Sequence, residues 1–113
     1  MLLIIRYSCN MYINAFYVNI KKSTRANKKM MAIFYDEAKE KMKTTHFGAT
    51  GYEDYTQHAD LTRKMNYVKR HGKREDWRDF STAGALSYWI LWNKPSLTEN
   101  IKDYMNRFGL KEY

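Results

Sequence analysis

The first half of the chain alternates short apolar runs with polar connections, a pattern that is typical of β-strands. Residues 16–20 (FYVNI) and 30–35 (MMAIFY) are rich in β-branched and aromatic side chains, and residues 41–47 (KMKTTHF) alternate between apolar and polar. The basic stretch 21–29 (KKSTRANKK) forms the polar connection between the first two runs. The pattern therefore predicts a small three-stranded antiparallel β-meander.

The connection between the second and third runs has two interpretations. Residues 36–40 (DEAKE) are short and polar, as a hairpin loop should be, although they lack the Asn-Gly or Asp-Gly pair of a tight turn. A helix over residues 36–42 is the alternative, because Glu, Ala and Lys all favour helix.

The second half of the chain changes to helical periodicity. Asp60 is a suitable N-cap for a helix over residues 61–71, in which Leu61, Met65 and Val68 repeat at helical spacing and form the predicted buried face. Gly72 follows in the position that ends such a helix.

Two more helices are predicted after it. Ser81 or Thr82 caps a segment that runs to about residue 92 and stops before Pro95. Ser96 and Glu99 form a capping box for the last helix, and Gly109 ends it. The apolar positions predicted to be buried in these two helices are Leu86, Trp89, Ile90, Leu97, Ile101, Tyr104 and Phe108.

The fold class that follows is α+β, with a small three-stranded antiparallel β-meander followed by about three helices that share one core. A chain of 113 residues is the size of one domain. We assign it to residues 16–113 and treat residues 1–15 as a poorly specified N-terminal extension.

The N-terminal residues match neither a signal peptide nor a membrane span. Positive charge does not precede the apolar run, and polar residues interrupt it. Cys9 is the single cysteine, which excludes an intrachain disulfide. We expect an intracellular, reducing environment and no membrane partner.

The charge is strongly unbalanced, with 20 Lys or Arg against 12 Asp or Glu and a formal net charge of +8. Such an excess favours an acidic partner such as nucleic acid, although it also keeps a small protein soluble. The sequence has no common catalytic motif, no metal-ligand spacing among its three histidines and no cofactor signature. We therefore expect no enzyme activity, no metal, no cofactor and no small-molecule substrate.

Residues 48–51 (GATG) match the GxxG form of a KH-domain loop, but that loop joins two helices. Here the segment follows a predicted strand, so a turn with positive φ at glycine is the simpler interpretation.

Eleven of the 20 basic residues lie in two windows that contain no acid, residues 21–29 and residues 63–74. Arg63, Tyr67, Arg70 and Arg74 project from one side of the predicted helix, opposite its apolar residues. Such a stripe suits phosphate binding, with Tyr67 available for stacking or a hydrogen bond, although any amphipathic helix has a charged outer face. The candidate nucleic-acid-binding residues are Lys21, Lys22, Arg25, Lys28, Lys29, Arg63, Lys64, Tyr67, Arg70 and Arg74.

A longer set of residues resembles a known family. The string runs through residues 46–56 (HFGATGYEDYT), the pairs Arg63-Lys64 and Arg70-His71, and residues 82–97 (TAGALSYWILWNKPSL). It resembles a family of short, basic, uncharacterised proteins of nucleocytoplasmic large DNA viruses, including algal and amoebal giant viruses. The resemblance implies residence in a virion or an infected host cell, and a protein that is not an enzyme.

Two functions follow as hypotheses. The first is a non-enzymatic protein that binds nucleic acid, DNA in the first instance, through phosphate contacts without sequence specificity. The alternative is a structural virion component, a minor capsid or core protein, that acts through contacts with other virion proteins. A nuclease ranks third, because it would need clustered carboxylates to hold a metal.

Overall fold

The computed structural model describes residues 13–113. Residues 1–12 of the predicted N-terminal extension (residues 1–15), including Cys9, lie outside the described residues. Ala15, which the prediction placed in the extension, is fully buried in the core. No helix within residues 13–113 is long and apolar enough to cross a membrane.

Three strands pair in the predicted order and direction. β1 (Tyr17–Lys22) is antiparallel to β2 (Lys28–Tyr35), and β2 is antiparallel to β3 (Lys41–Ala49). The polar connection of the first hairpin is shorter than predicted, because both strands continue into the basic stretch and leave only residues 23–27 between them.

A fourth strand corrects the predicted three-stranded sheet. β4 (Lys111–Glu112) pairs parallel to β1, so the sheet is mixed and has the order β3-β2-β1-β4. Lys111 N donates to Phe16 O over 2.9 Å, and Tyr113 N donates to Val18 O over 3.1 Å. Two residues carry no periodic pattern, so only the return of the chain to β1 creates this strand.

The connection between β2 and β3 is a turn, which confirms the hairpin and excludes the alternative helix. Asp36 Oδ1 accepts hydrogen bonds from the amides of Ala38 and Glu40, each over 2.9 Å. Lys39 adopts a positive φ of 64°, which no helix contains.

The helical half contains one element more than predicted. Its helices are α1 (Tyr55–His58), α2 (Leu61–His71), α3 (Ala83–Leu86), which continues as a π-helical turn over Ser87–Leu91, and α4 (Leu97–Phe108). The caps predicted at Asp60, Thr82 and Ser96 are confirmed, since each side chain accepts from the backbone amide three residues later. The unpredicted α1 is capped by Asp54, the residue before its first turn, which forms a capping box with Gln57.

The core lies between one face of the sheet and the helices. Leu86, Ile90 and Tyr104 are fully buried there, as predicted. Leu97 is 36% exposed, which corrects its predicted burial. The buried residue at the start of α4 is Asn100, whose side-chain Nδ2 donates to Ile90 O and Lys94 O over 2.8 Å each.

The orientation of α2 corrects a second prediction. Leu61 and Met65 are 60% and 58% exposed, whereas Tyr67 is only 8% exposed. At about 100° per residue, the buried face is rotated by roughly a quarter turn from the predicted one. The tertiary partners explain the rotation, because Tyr67 stacks on Trp92 and Lys64 Nζ donates to Asn93 O.

Candidate functional site

A cleft of about 520 Å³ lies between α2 and the part of the sheet where β2 begins and β3 ends. It brings together residues of both basic windows, which are more than 30 positions apart in the sequence. From the first window it is lined by Lys28 and Lys29, and from the second by Arg63, Tyr67 and Arg70.

The other five predicted residues do not line this cleft. Lys21 and Lys22 end β1 and are exposed, and Arg25 is exposed in the turn between β1 and β2. Lys64 is committed to Asn93 O and lies over the ring of Tyr55, and Arg74 follows the end of α2.

Glycine shapes the wall of the cleft at the end of β3. Gly48 has a φ of 79°, and a Cβ built there would lie 2.7 Å from Leu91 Cδ1. Its missing side chain therefore lets β3 approach the π-helical turn. The predicted turn is confirmed at residues 50–51, where Gly51 has a φ of 88°, whereas Gly48 has its positive φ inside β3.

The turn after β3 is tied to the turn before β2. Thr50 N donates to Asn27 O over 3.3 Å, and Thr50 Oγ1 donates to Ala26 O over 3.2 Å. The turn of the basic first hairpin and the glycine turn are therefore held side by side, next to the cleft residues Lys28 and Ala49.

Lys29 has a structural partner in the cleft. Its ammonium lies 2.7 Å from Asp54 Oδ2 and 2.8 Å from Gln57 Oε1. Asp54 is buried and also caps α1, so this ion pair joins β2 to the helical half. A buried carboxylate left without its cation is costly, which commits Lys29 to this contact.

Arg63 is paired more loosely. Its guanidinium lies 3.1 Å from Glu53 Oε1, and both side chains are about half exposed. An exposed pair of this kind contributes only about 0.2 to 1 kcal/mol. A phosphate can therefore replace Glu53 as the partner of Arg63 at little cost.

Lys28 and Arg70 are the cations that the cleft leaves available. Within residues 13–113, no salt bridge is recorded for either side chain. The positive potential near Lys28 also acts on His46, because desolvation and then the charges of Arg25 and Lys28 lower the pKa of its imidazole.

Tyr67 lines the cleft, but its ring is not an exposed stacking platform, which corrects the stacking role predicted for it. The alternative role, a hydrogen bond from its hydroxyl to a phosphate, stays a prediction. The ring of Tyr67 is 4.3 Å from Trp92 and 4.2 Å from His71, stacked on both. Two rings this close cannot share one face, so both faces of Tyr67 are covered. Burial, and then the Glu75 carboxylate, raises its pKa to about 12, so the hydroxyl stays protonated at neutral pH.

Glu75 closes the side of the cleft that faces α3. A Cβ built on Gly84 would lie 1.9 Å from Glu75 Oε1, so the absence of a side chain at Gly84 makes room for this carboxylate. With Glu53 and Asp54, Glu75 gives the cleft three carboxylates beside its four cations. The cleft therefore has localised positive sites rather than a uniformly positive wall.

The arrangement suits anion binding by side-chain donors. Within residues 13–113, no group of three or more His, Cys, Asp or Glu side chains is placed to hold a metal ion. Lys28, Arg63 and Arg70 present ammonium and guanidinium donors of the kind that bond phosphate oxygens.

Two features of the site were not predicted. Tyr52 lines the cleft and is 76% exposed. Glu75, which closes the side of the cleft that faces α3, is not among the predicted binding residues. A signal for the buried face of α2 was present, since Lys64, Tyr67 and His71 repeat at i, i+3 and i+7, a spacing that places them on one side of a helix.

Comparison with known proteins adds a family likeness. Residues 18–71 match the model described as "Family of unknown function (DUF5754)". The matched region is just under half of the chain and runs from β1 to the end of α2, so it contains the cleft's basic residues. No curated protein and no solved structure matches the chain.

Proposed function

We propose that the chain is a non-enzymatic protein that binds nucleic acid through phosphate contacts in the cleft, without reading the sequence. The observation that carries the proposal is the convergence of Lys28, Arg63 and Arg70 on one cleft from two separate windows. Lys28 and Arg70 have no recorded ion pair among the described residues, and Arg63 exchanges an exposed carboxylate for phosphate.

The net charge of +8 adds long-range attraction to these local contacts. The resemblance to basic proteins of large DNA viruses makes viral DNA the polyanion of choice, and a virion or an infected cell the proposed location. The contacts named are to phosphates alone, so affinity follows salt concentration and not base sequence.

The experiment compares two variants with the same change in net charge. Lys28→Glu/Arg70→Glu alters the cleft, and Lys41→Glu/Lys102→Glu alters exposed lysines on other elements. Binding to a labelled oligonucleotide is followed by fluorescence anisotropy as the salt concentration rises. For the wild type, log Kobs should fall with log salt by about 0.7 to 0.9 per phosphate contacted.

We expect the cleft variant to lose most of its affinity and the control variant to keep most of it. Equal losses in both variants would show that only net charge matters and would contradict the cleft as the binding site. Absence of salt-dependent binding by the wild type would contradict the function itself.

A second candidate is a structural protein that acts through protein contacts. Leu61 and Met65 favour it, because they lie one turn apart on α2 and are both more than half exposed. In purified particles stripped of nucleic acid, this function predicts that the chain is retained and that Leu61→Glu/Met65→Glu is lost. Release of the wild-type chain with the nucleic acid would contradict it.

A further inference from the structure

Tyr52 is the most exposed large hydrophobic side chain among the described residues of the cleft. Its exposed fraction of 76% is the highest among the exposed large hydrophobic residues of the described chain. A tyrosine side chain left this open to water buries little of the apolar area that stabilises the fold. Packing therefore does not explain an aromatic residue at this position.

The backbone on both sides of Tyr52 is fixed. Before it, Thr50 makes two hydrogen bonds to the turn between β1 and β2. After it, Asp54 is buried, caps α1 and holds Lys29. A ring on an anchored backbone loses less conformational entropy when it binds a partner.

The other aromatic rings of the cleft are buried or partly buried. Phe47 is fully buried, and Tyr67 and Trp92 stack on each other. Among the described aromatic residues that line the cleft, Tyr52 is the one that is largely exposed, and it lies in the same cleft as the cations Lys28 and Arg70.

An exposed ring beside phosphate-binding cations is the arrangement used for single strands. Each unpaired base has a π-face that stacks on an aromatic side chain, while cations follow the backbone. In a duplex the bases are stacked on one another and their faces are not accessible. A concave cleft of about 520 Å³ also suits a short stretch of one strand better than the wide surface of a duplex.

We infer that the cleft is specific for single-stranded nucleic acid, with one base stacked on Tyr52 and the neighbouring phosphates bound by Lys28, Arg63 and Arg70. This inference rests on the proposed function and narrows its ligand from nucleic acid in general to unpaired strands.

The test measures three ligands of one length, about 16 nucleotides. They are oligo-dT, the same strand annealed to its complement, and an abasic oligonucleotide that has phosphates without bases. The variants are Tyr52→Ala, Tyr52→Phe, which keeps the ring, and Tyr113→Ala, which removes an exposed tyrosine from the C-terminus.

We expect the wild type to bind oligo-dT more tightly than either other ligand. Tyr52→Ala should weaken binding to oligo-dT by about tenfold, the loss of one base stack, and leave the abasic ligand unchanged. Tyr52→Phe and Tyr113→Ala should bind oligo-dT as the wild type does.

Two results would overturn the inference. One is unchanged binding of oligo-dT by Tyr52→Ala, and the other is equal wild-type affinity for duplex and single strand. If all three ligands bind equally and Lys28→Glu/Arg70→Glu abolishes this binding, the proposed function stands while the single-strand inference fails. If the wild type binds none of them, the proposed function itself fails.

Discussion

The orientation of α2 leads to a prediction that separates the structure from the hydrophobic pattern. Tyr67→Ala removes a ring that is stacked on both faces, by Trp92 and by His71. Replacing a buried aromatic residue by alanine typically costs about 3 to 5 kcal/mol. We expect the free energy of unfolding to fall by about 4 kcal/mol, a large share of the roughly 5 to 15 kcal/mol that stabilises a domain.

Met65→Ala is the matched control on the same helix. Because Met65 is 58% exposed, its replacement should change the free energy of unfolding by no more than about 0.5 kcal/mol. If instead Met65 pointed into the core, as its spacing with Leu61 predicts, its replacement would cost about 2 to 5 kcal/mol. The two orientations of α2 therefore predict opposite answers to which variant, Tyr67→Ala or Met65→Ala, loses more free energy of unfolding.

Urea unfolding, followed by far-UV circular dichroism, measures both free energies by linear extrapolation. Thermal unfolding gives a second reading, because about 4 kcal/mol corresponds to a drop in Tm of roughly 15 °C in a domain of this size. A larger loss for Met65→Ala than for Tyr67→Ala would refute the orientation of α2 and, with it, the placement of Arg63 and Arg70 in the cleft.

Three further predictions concern pH, backbone strain and ion pairing. The pKa of Tyr67 is raised to about 12 in the folded state, so its contribution to stability is complete below pH 10 and is lost as the pH rises toward 12. Urea unfolding across this pH range should show a smaller loss of unfolding free energy for Tyr67→Phe than for the wild type. An equal loss would contradict the burial of the hydroxyl. Gly48→Ala should lower the free energy of unfolding by about 2 kcal/mol, because it adds a close contact with a core leucine to the strain of a positive φ. Gly51→Ala, which has the strain without the contact, should cost about half as much, and equal costs in thermal unfolding would count against the contact. Glu53→Gln should raise oligonucleotide affinity about threefold, because it releases Arg63 from an exposed ion pair, and unchanged affinity in the anisotropy assay would argue against Arg63 as a phosphate ligand.

The candidate site was predictable in its residues but not in its shape. Both basic windows are visible in the sequence as acid-free runs, and five of their ten candidate residues line the cleft. The roles within it depend on partners from other elements. Asp54 takes Lys29 into a buried ion pair and Asn93 takes Lys64, and neither contact follows from sequence spacing.

The open ring of Tyr52 shows the same limit. Residue type alone does not separate it from Tyr67, since both are tyrosines. Trp92 and His71 cover the ring of Tyr67, whereas Tyr52 stays largely exposed. This difference is a property of the assembled fold.

The sequence by itself determined what depends on neighbours along the chain. The hairpin strands, the helix caps at Asp60 and Ser96 and the end of the last helix at Gly109 follow from contacts within a few residues, so local pattern is sufficient. Only the tertiary structure decided which face of α2 is buried, because that helix carries apolar surface on two sides. The stacking of Tyr67 on Trp92, 25 positions away, selects between them and brings Arg63 and Arg70 to the cleft.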